Sequence, residues 1–365
     1  MGIYINILAI CVIIQLAYYV YLLKNWNKKT TVKPPAEPPP VSIVICARNE
    51  AINLQKNLPF ILRQNYPTYE VVVVDDGSDD DTAKTLEQLI NQYSQLKTLR
   101  ISPAEKQGSG KKYALQKGVE NASHEIILVT DADCSPSTPG WVKTMVNALG
   151  GKDILLGISP YSWSGTFING LVQYETCLTA LQYIGYANAG MPYMAVGRNL
   201  CFRKKIFLGK EWKEREMQFP SGDDDLFIQA MADQTNTTTC TNPSSFTFSS
   251  APSTFHEWYR QKKRHLATGF RYSARDQMLL GTFLTSKFFL YCAFFLALLA
   301  GSKIYIAWGL MFAYLYIATW AAFHLQELHS LNKRWYLSPV FDPVYVFSII
   351  FTGIAARMAP QLSWK

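Results

Sequence analysis

Residues Ile3 to Leu23 run for 21 positions without a charged side chain, enough to cross a hydrocarbon layer of about 30 Å at about 1.5 Å per residue. Such a segment is a transmembrane helix candidate. No positive residue precedes the run and no small-x-small site follows it, which favours a retained span over a cleaved leader. Lys24, Lys28, Lys29 and Lys33 come directly after it, and the bias of Lys and Arg toward the cytoplasm places the next segment inside the cell. Three more apolar stretches lie near the other end: Met278 to Ala300, Ile304 to Phe323 and about Val340 to Ala356. Lys333 and Arg334 favour a cytoplasmic loop before the last one. Asp342 and Pro343 interrupt the start of that stretch, as they would in a re-entrant or interfacial segment. With 49% hydrophobic and 17% charged residues, the 365-residue chain is neither disordered nor fibrous.

The expected layout is a transmembrane helix at 1–24, a proline-rich linker at 25–40, a cytoplasmic body at 41–275 and a membrane region of about three helices at 276–365. The linker contains KPPAEPPP, an extended and semi-rigid composition. After it, short β-branched runs alternate with longer amphipathic ones. VSIVICA, EVVVVDD, KTLRIS and EIILVTDAD read as strands, and INLQKNLPFILRQ, DTAKTLEQLINQY and KKYALQKGVE as helices. That alternation predicts an α/β fold, a mostly parallel sheet with helices on both faces. From Gly157 onward the pattern loosens into aromatic-rich helix and loop, read as an acceptor-side subdomain.

Polar residues gather where the strands end. Arg48-Asn49-Glu50 follows the first strand, Asp75-Asp76-Gly77-Ser78 the second and Asp131-Ala132-Asp133 the fourth. Ligands of open α/β sheets bind beyond the carboxyl ends of strands, so these segments are expected to converge on one cleft. Four carboxylates brought together repel unless a cation joins them, and oxygen-only ligands suit Mg²⁺ or Mn²⁺. Taken alone, each pair has a plain structural reading, since DDGS after a strand is often an Asx turn with a helix cap. Their order on successive strands favours function. Gly108-Ser109-Gly110-Lys111 fails the P-loop test, because Glu105 and Lys112 stand where glycine and Ser or Thr belong. It remains a glycine loop entering a helix with two lysines, able to meet a phosphate or to be a solvated basic turn.

Asp223-Asp224-Asp225 precedes the apolar run LFIQAM. Acids at a helix start complement its dipole, but three exceed what a cap requires, and one could act as a general base. Trp258 to Gly269, WYRQKKRHLATG, is basic and amphipathic, as in a helix lying on an anionic membrane surface. The net charge of +8 fits nucleic acid, an anionic membrane or a phosphate-rich substrate equally well. A nucleic-acid reader would show aromatic-interleaved basic strands or a reading motif, and neither is present. The seven cysteines are scattered, with no CxxC pair and no His at zinc spacing, which suggests neither a disulfide framework nor a structural zinc site.

Taken in order, VSIVICARNE with VVVVDDGSDDDT, GKKYALQKG, VTDAD, and SGDDDLFIQ followed by RQKKRH resemble the membrane-bound glycosyltransferases of family 2, which have the GT-A fold. The resemblance covers about residues 41 to 270 and implies a nucleotide-sugar-binding domain. It implies donor contacts from Asp75, Asp76, Lys111, Asp131 and Arg264, and metal ligation by Asp133 with Asp131. Asp223 falls on the family's catalytic base position, with Gly222 where the family often has Glu. Asp224, Asp225, Gln261 and His265 fall in the acceptor and leaving-group region. His265 replaces the tryptophan with which processive synthases stack an acceptor sugar, which speaks against long-chain polymer synthesis.

The expected activity is therefore inverting, metal-dependent transfer from a nucleotide sugar, UDP being the family's commonest carrier. The acceptor would be a hydroxyl of a lipid, lipid-linked or saccharide molecule at the cytoplasmic membrane face. The rival readings are a processive polysaccharide synthase and a catalytically silent scaffold with the same fold.

Overall fold

The computed structural model describes residues 2–26, 28, 33–102, 110–209, 222–301, 303–325 and 335–358. They form two compact units. One comprises Met1–Lys28, Trp163–Tyr186 and Ala251–Ala359, the other Lys29–Ser162 and Ala187–Ser250.

The second unit is built on a seven-stranded sheet. Its first half contains β1 (Val41–Ala47), α1 (Ala51–Ile61), β2 (Tyr69–Asp75), α2 (Thr82–Ile90), β3 (Leu96–Arg100), α3 (Gly110–Asn121) and β4 (Ile126–Asp131). Gly108 and Ser109, the start of the glycine loop, lie outside the described residues. β1 is buried at every position, and β2 at all but its first. A run of Val and Ile with no exposed face is what a parallel strand covered on both sides requires. The order is β3-β2-β1-β4, all parallel. Asp75 pairs in register with Ala47, and Asp131 with Cys46. β2 and β4 flank β1, so the two aspartates end their strands at the same edge, two strand spacings of about 4.8 Å apart.

After Gly157 the chain has the expected helix and loop and also two strands that were not expected, β7 (Leu200–Arg203) and β8 (Thr237–Thr239). With β6 (Ile154–Leu156) they extend the sheet in the order β4-β7-β6-β8, with β7 antiparallel to both its neighbours. A small second sheet pairs β5 (Ser135–Pro136) with β9 (Thr247–Phe248). α4 (Trp141–Leu149) buries Trp141, Val142, Met145, Val146 and Leu149. The core they join runs through Ile43, Ile45, Val71, Val73 and Leu128. α5 (Lys204–Phe207) and α6 (Asp225–Met231) complete this unit.

The first unit is helical: α7 (Ile3–Trp26), α8 (Phe167–Asn188), α9 (Phe255–Gly269), α10 (Ala274–Leu299), α11 (Ile304–His324) and α12 (Ser338–Met358). Four helical segments, of 24, 26, 21 and 24 residues, are long and apolar enough to cross a membrane, the last beginning at Trp335. Asp342 and Pro343 lie inside a continuous α12, while Lys333 and Arg334 lie outside the described residues.

Polar groups tie these helices together. Gln15 of α7 donates to the Phe283 carbonyl and the Ser286 hydroxyl of α10, each at 2.8 Å, and Tyr18 donates to the Leu279 carbonyl at 2.9 Å. Lys287 Nζ of α10 lies 2.6 Å from Asp342 Oδ1 of α12, both fully buried, and donates to the Tyr19 hydroxyl at 3.0 Å. Tyr174, Tyr291 and Tyr314 all donate to the Asp342 carboxylate. Interhelical hydrogen bonds of this kind are the glue available to helices in lipid.

Candidate active site

Lys111 stands at the centre of the second unit's polar edge. Its Nζ lies 2.8 Å from Asp131 Oδ1 and 3.2 Å from Asp223 Oδ2, and the Lys111 and Asp223 side chains are 16% and 15% exposed. Burial alone would push the lysine down, but Asp131, Asp223 and Asp224 outweigh it and hold its pKa well above the usual lysine range. Burial likewise pushes Asp223 up, and Lys111 with Lys112 more than offsets it, leaving the carboxyl below the usual range. Lys111 follows Gly110, with φ +58°, and Asp223 follows Gly222, with φ +77°. A glutamate at 222 would be forced into left-handed backbone at a cost of about 1–2 kcal/mol, which accounts for glycine there.

The three consecutive acids at the start of α6 have separate roles. Asp224 accepts from the Asp225 N–H at 2.9 Å and the Gly197 N–H at 2.7 Å, so it is the helix cap. Asp225 is the first residue of α6. Asp223 alone of the three pairs with Lys111 at ion-pair distance among the described residues.

At the other acidic segments the outcome is mixed. Asp75 accepts from the Ser78 N–H at 2.9 Å, the Asx turn of the plain reading, and its second oxygen lies 3.6 Å from Arg100 Nε. Asp76 is buried next to it. Asp133 accepts a weak bond from the Cys134 thiol at 3.4 Å, and burial together with the charge of Asp131 raises its pKa.

Arg198 is the cation that motif reading did not assign. It belongs to Gly197-Arg198-Asn199, just before β7. Its guanidinium donates to the Ser249 hydroxyl at 2.5 Å and the Ser159 carbonyl at 3.1 Å, and lies 4.1 Å over the Tyr161 ring. Its charge acts on Asp133, favouring the carboxylate. An arginine between a glycine and an asparagine gives no sequence signal that it will pack on an aromatic ring and donate to two acceptors.

Among the described residues no group of three or more His, Cys, Asp or Glu side chains is placed to hold a metal by itself. Asp131 and Asp133 nevertheless fit Mg²⁺ or Mn²⁺. Two carboxylates one residue apart raise each other's affinity for positive charge, and such ions commonly bind one or two carboxylates plus substrate phosphates.

Gln261, Arg264 and His265 lie on α9, in the helical unit. The helix opens with a capping box of Thr254 and Glu257. It is held to α8 through Glu175, which accepts from Trp258 Nε1 at 2.9 Å and pairs with Lys262 at 2.6 Å.

Residues 42–193 match glycosyl transferase family 2, and residues 126–322, more than half of the chain, match glycosyl transferase family group 2. The chain belongs to family 2 of the glycosyltransferases. This family 2 glycosyltransferase is 31% identical to glycosyltransferase AglE of Haloferax volcanii over 185 residues, 50% of this chain and 57% of the relative. It is 32% identical to β-monoglucosyldiacylglycerol synthase of Synechocystis sp. over 131 residues, 35% of this chain and 24% of the relative. The chain thus spans about half or less of the length of these curated relatives. A mannosyltransferase from Pyrobaculum calidifontis, solved with GDP-Man and Mn²⁺, superposes with a TM-score of 0.62 at 21% identity, covering 96% of this chain and 99% of that one. That likeness shows the GT-A fold.

Proposed function

We propose that this glycosyltransferase moves a sugar from a nucleotide donor, with UDP the favoured carrier, to a hydroxyl of a lipid or lipid-linked acceptor at the cytoplasmic membrane face, with inversion. The observation that carries the reading is the meeting of Lys111, Asp131 and Asp223 at one edge of the sheet. A buried cation beside two acids suits a substrate whose diphosphate must be held while a hydroxyl is deprotonated nearby.

In this reading Asp75 and Asp76 orient the nucleoside, and Lys111 faces the diphosphate. A divalent ion held by Asp131 and Asp133 would neutralise charge on the leaving group. Asp223 accepts the proton of the acceptor hydroxyl as its oxygen attacks the anomeric carbon. The carbon–oxygen bond to the diphosphate breaks with its electron pair going to the phosphate, and the motif match assigns Arg264, whose guanidinium can bind phosphate bidentately, to that leaving group. Gln261 and His265 flank Arg264 on the same helix, and Asp224 and Asp225 support Asp223. The catalytic domain of 41–275 is assigned to the cytoplasm by the lysines after the first span. The Synechocystis relative is by name a synthase of a glucosylated diacylglycerol, which supports a lipid acceptor here.

The test is turnover of a donor panel, UDP-sugars and GDP-mannose included, by detergent-solubilised protein with membrane lipids, reading released nucleoside diphosphate and lipid-linked product. One donor should be consumed, EDTA should abolish the reaction and Mn²⁺ or Mg²⁺ restore it. Asp223→Asn should slow it by about 10²- to 10⁴-fold. Full activity in Asp223→Asn would remove that residue from the role of base.

A further inference from the structure

We infer that Lys111 is a positioning residue that holds Asp223 in an ion pair until a nucleoside diphosphate draws the ammonium away, so that donor binding releases the base. The inference rests on the reading of Asp223 as that base. Its ground is that one ammonium serves two carboxylates of different function, Asp131 at 2.8 Å and Asp223 at 3.2 Å.

An oxygen that already accepts an ammonium proton is a poor acceptor for a hydroxyl proton. With Oδ2 of Asp223 paired to the ammonium, the carboxylate in the enzyme without donor is a weaker proton acceptor than it would be alone. A diphosphate carries more charge than one carboxylate and offers several acceptor oxygens. Lysine is a compact charge on a flexible four-carbon stem and can change partners without backbone movement. The Asp224 carboxylate is engaged as the helix cap by the Gly197 and Asp225 N–H groups. Lys112 also contributes positive charge at Asp223 and is itself fully buried. The arrangement predicts that the donor binds before the acceptor is activated.

The partner exchange has a consequence for binding that needs no turnover. If Asp223 and the diphosphate compete for Lys111, removing the Asp223 charge should strengthen nucleotide binding. A charge-assisted hydrogen bond of typical strength corresponds to about tenfold or more in affinity.

The experiment is calorimetric titration of UDP and of GDP, each with Mg²⁺, into the detergent-solubilised full chain. It compares wild type, Asp223→Asn, Lys111→Met and the double variant. Asp223→Asn should bind the preferred nucleotide about tenfold more tightly, Lys111→Met more weakly than wild type, and Asp223→Asn should add less than about twofold in the Lys111→Met background. Lys111→Gln serves as the second neutral variant, and the melting temperature of each protein shows that it is folded.

Asp223→Asn binding no more tightly than wild type would overturn the latch and leave the donor reading intact. Tightening that persists undiminished without Lys111 would overturn it too, since plain charge repulsion would then suffice. Failure of wild type to bind either nucleotide at millimolar concentration would take down the donor reading and the latch together.

Discussion

Glu70 shows how much one buried carboxylate contributes to the sheet. It lies on β2 and accepts from the Ser42 hydroxyl at 2.6 Å and the Ser123 hydroxyl at 3.0 Å, with Lys97 Nζ at 2.6 Å. Burial pushes its pKa up, but Lys97, Ser42 and Ser123 together bring it down to about 2. A folded-state value below the unfolded one of about 4.3 stabilises the protein above that pH, by about 3 kcal/mol, and the gain is lost as pH falls toward about 2. Glu70→Gln should therefore lower the melting temperature at pH 7, and the gap to wild type should close in melts run between about pH 4.5 and 2. The same scale sets what could be read at the site. The carboxylates announce themselves by motif, and the glycine at 222 makes sense once its φ is known. The contact of Lys111 with Asp223 could not be read, because it joins segments far apart in the chain through the folding of α3 and α6. Arg198 was equally hidden, since its contacts depend on Tyr161, Ser159 and Ser249 being brought together around it.

At the level of elements, legibility followed length. β1 and β2, each seven residues, carry enough consecutive Val and Ile to be strands on composition alone. β6, β7 and β8, of three or four residues, are too short to show a period, so the antiparallel half of the sheet stayed hidden. In the membrane unit the sequence made Asp342 look like an interruption. Its partner stands 55 positions away on α10, and together with Tyr19, Tyr174, Tyr291 and Tyr314 the pair links α7, α8, α10, α11 and α12. Breaking one side of a buried pair costs about 3–5 kcal/mol, whereas replacing both partners by apolar groups can be nearly neutral. Lys287→Met and Asp342→Leu should each lower the melting temperature in detergent, and the double variant should recover most of the loss. Additive losses would mean that the tyrosines, not the ion pair, hold the helices.

For the whole molecule, the four long apolar helices leave Ile3, Ile10, Ile13, Phe295, Tyr305 and Phe351 exposed. Side chains of that kind in rows on a helix surface need lipid around them. An alkaline carbonate wash of membranes should therefore leave the protein in the pellet, with detergent required to release it; recovery in the wash would argue against spanning helices. The Lys287–Asp342 pair also bears on how the chain is made. In a spanning arrangement each helix would reach the bilayer in turn during synthesis, and a charged residue at a helix centre costs about 2.5–3.5 kcal/mol to insert. α10 emerges first with an uncompensated lysine, and α12 completes the pair only when synthesis is nearly finished. A chain halted before residue 338 would carry Lys287 into the bilayer as an orphan cation, without the carboxylate that offsets its insertion cost.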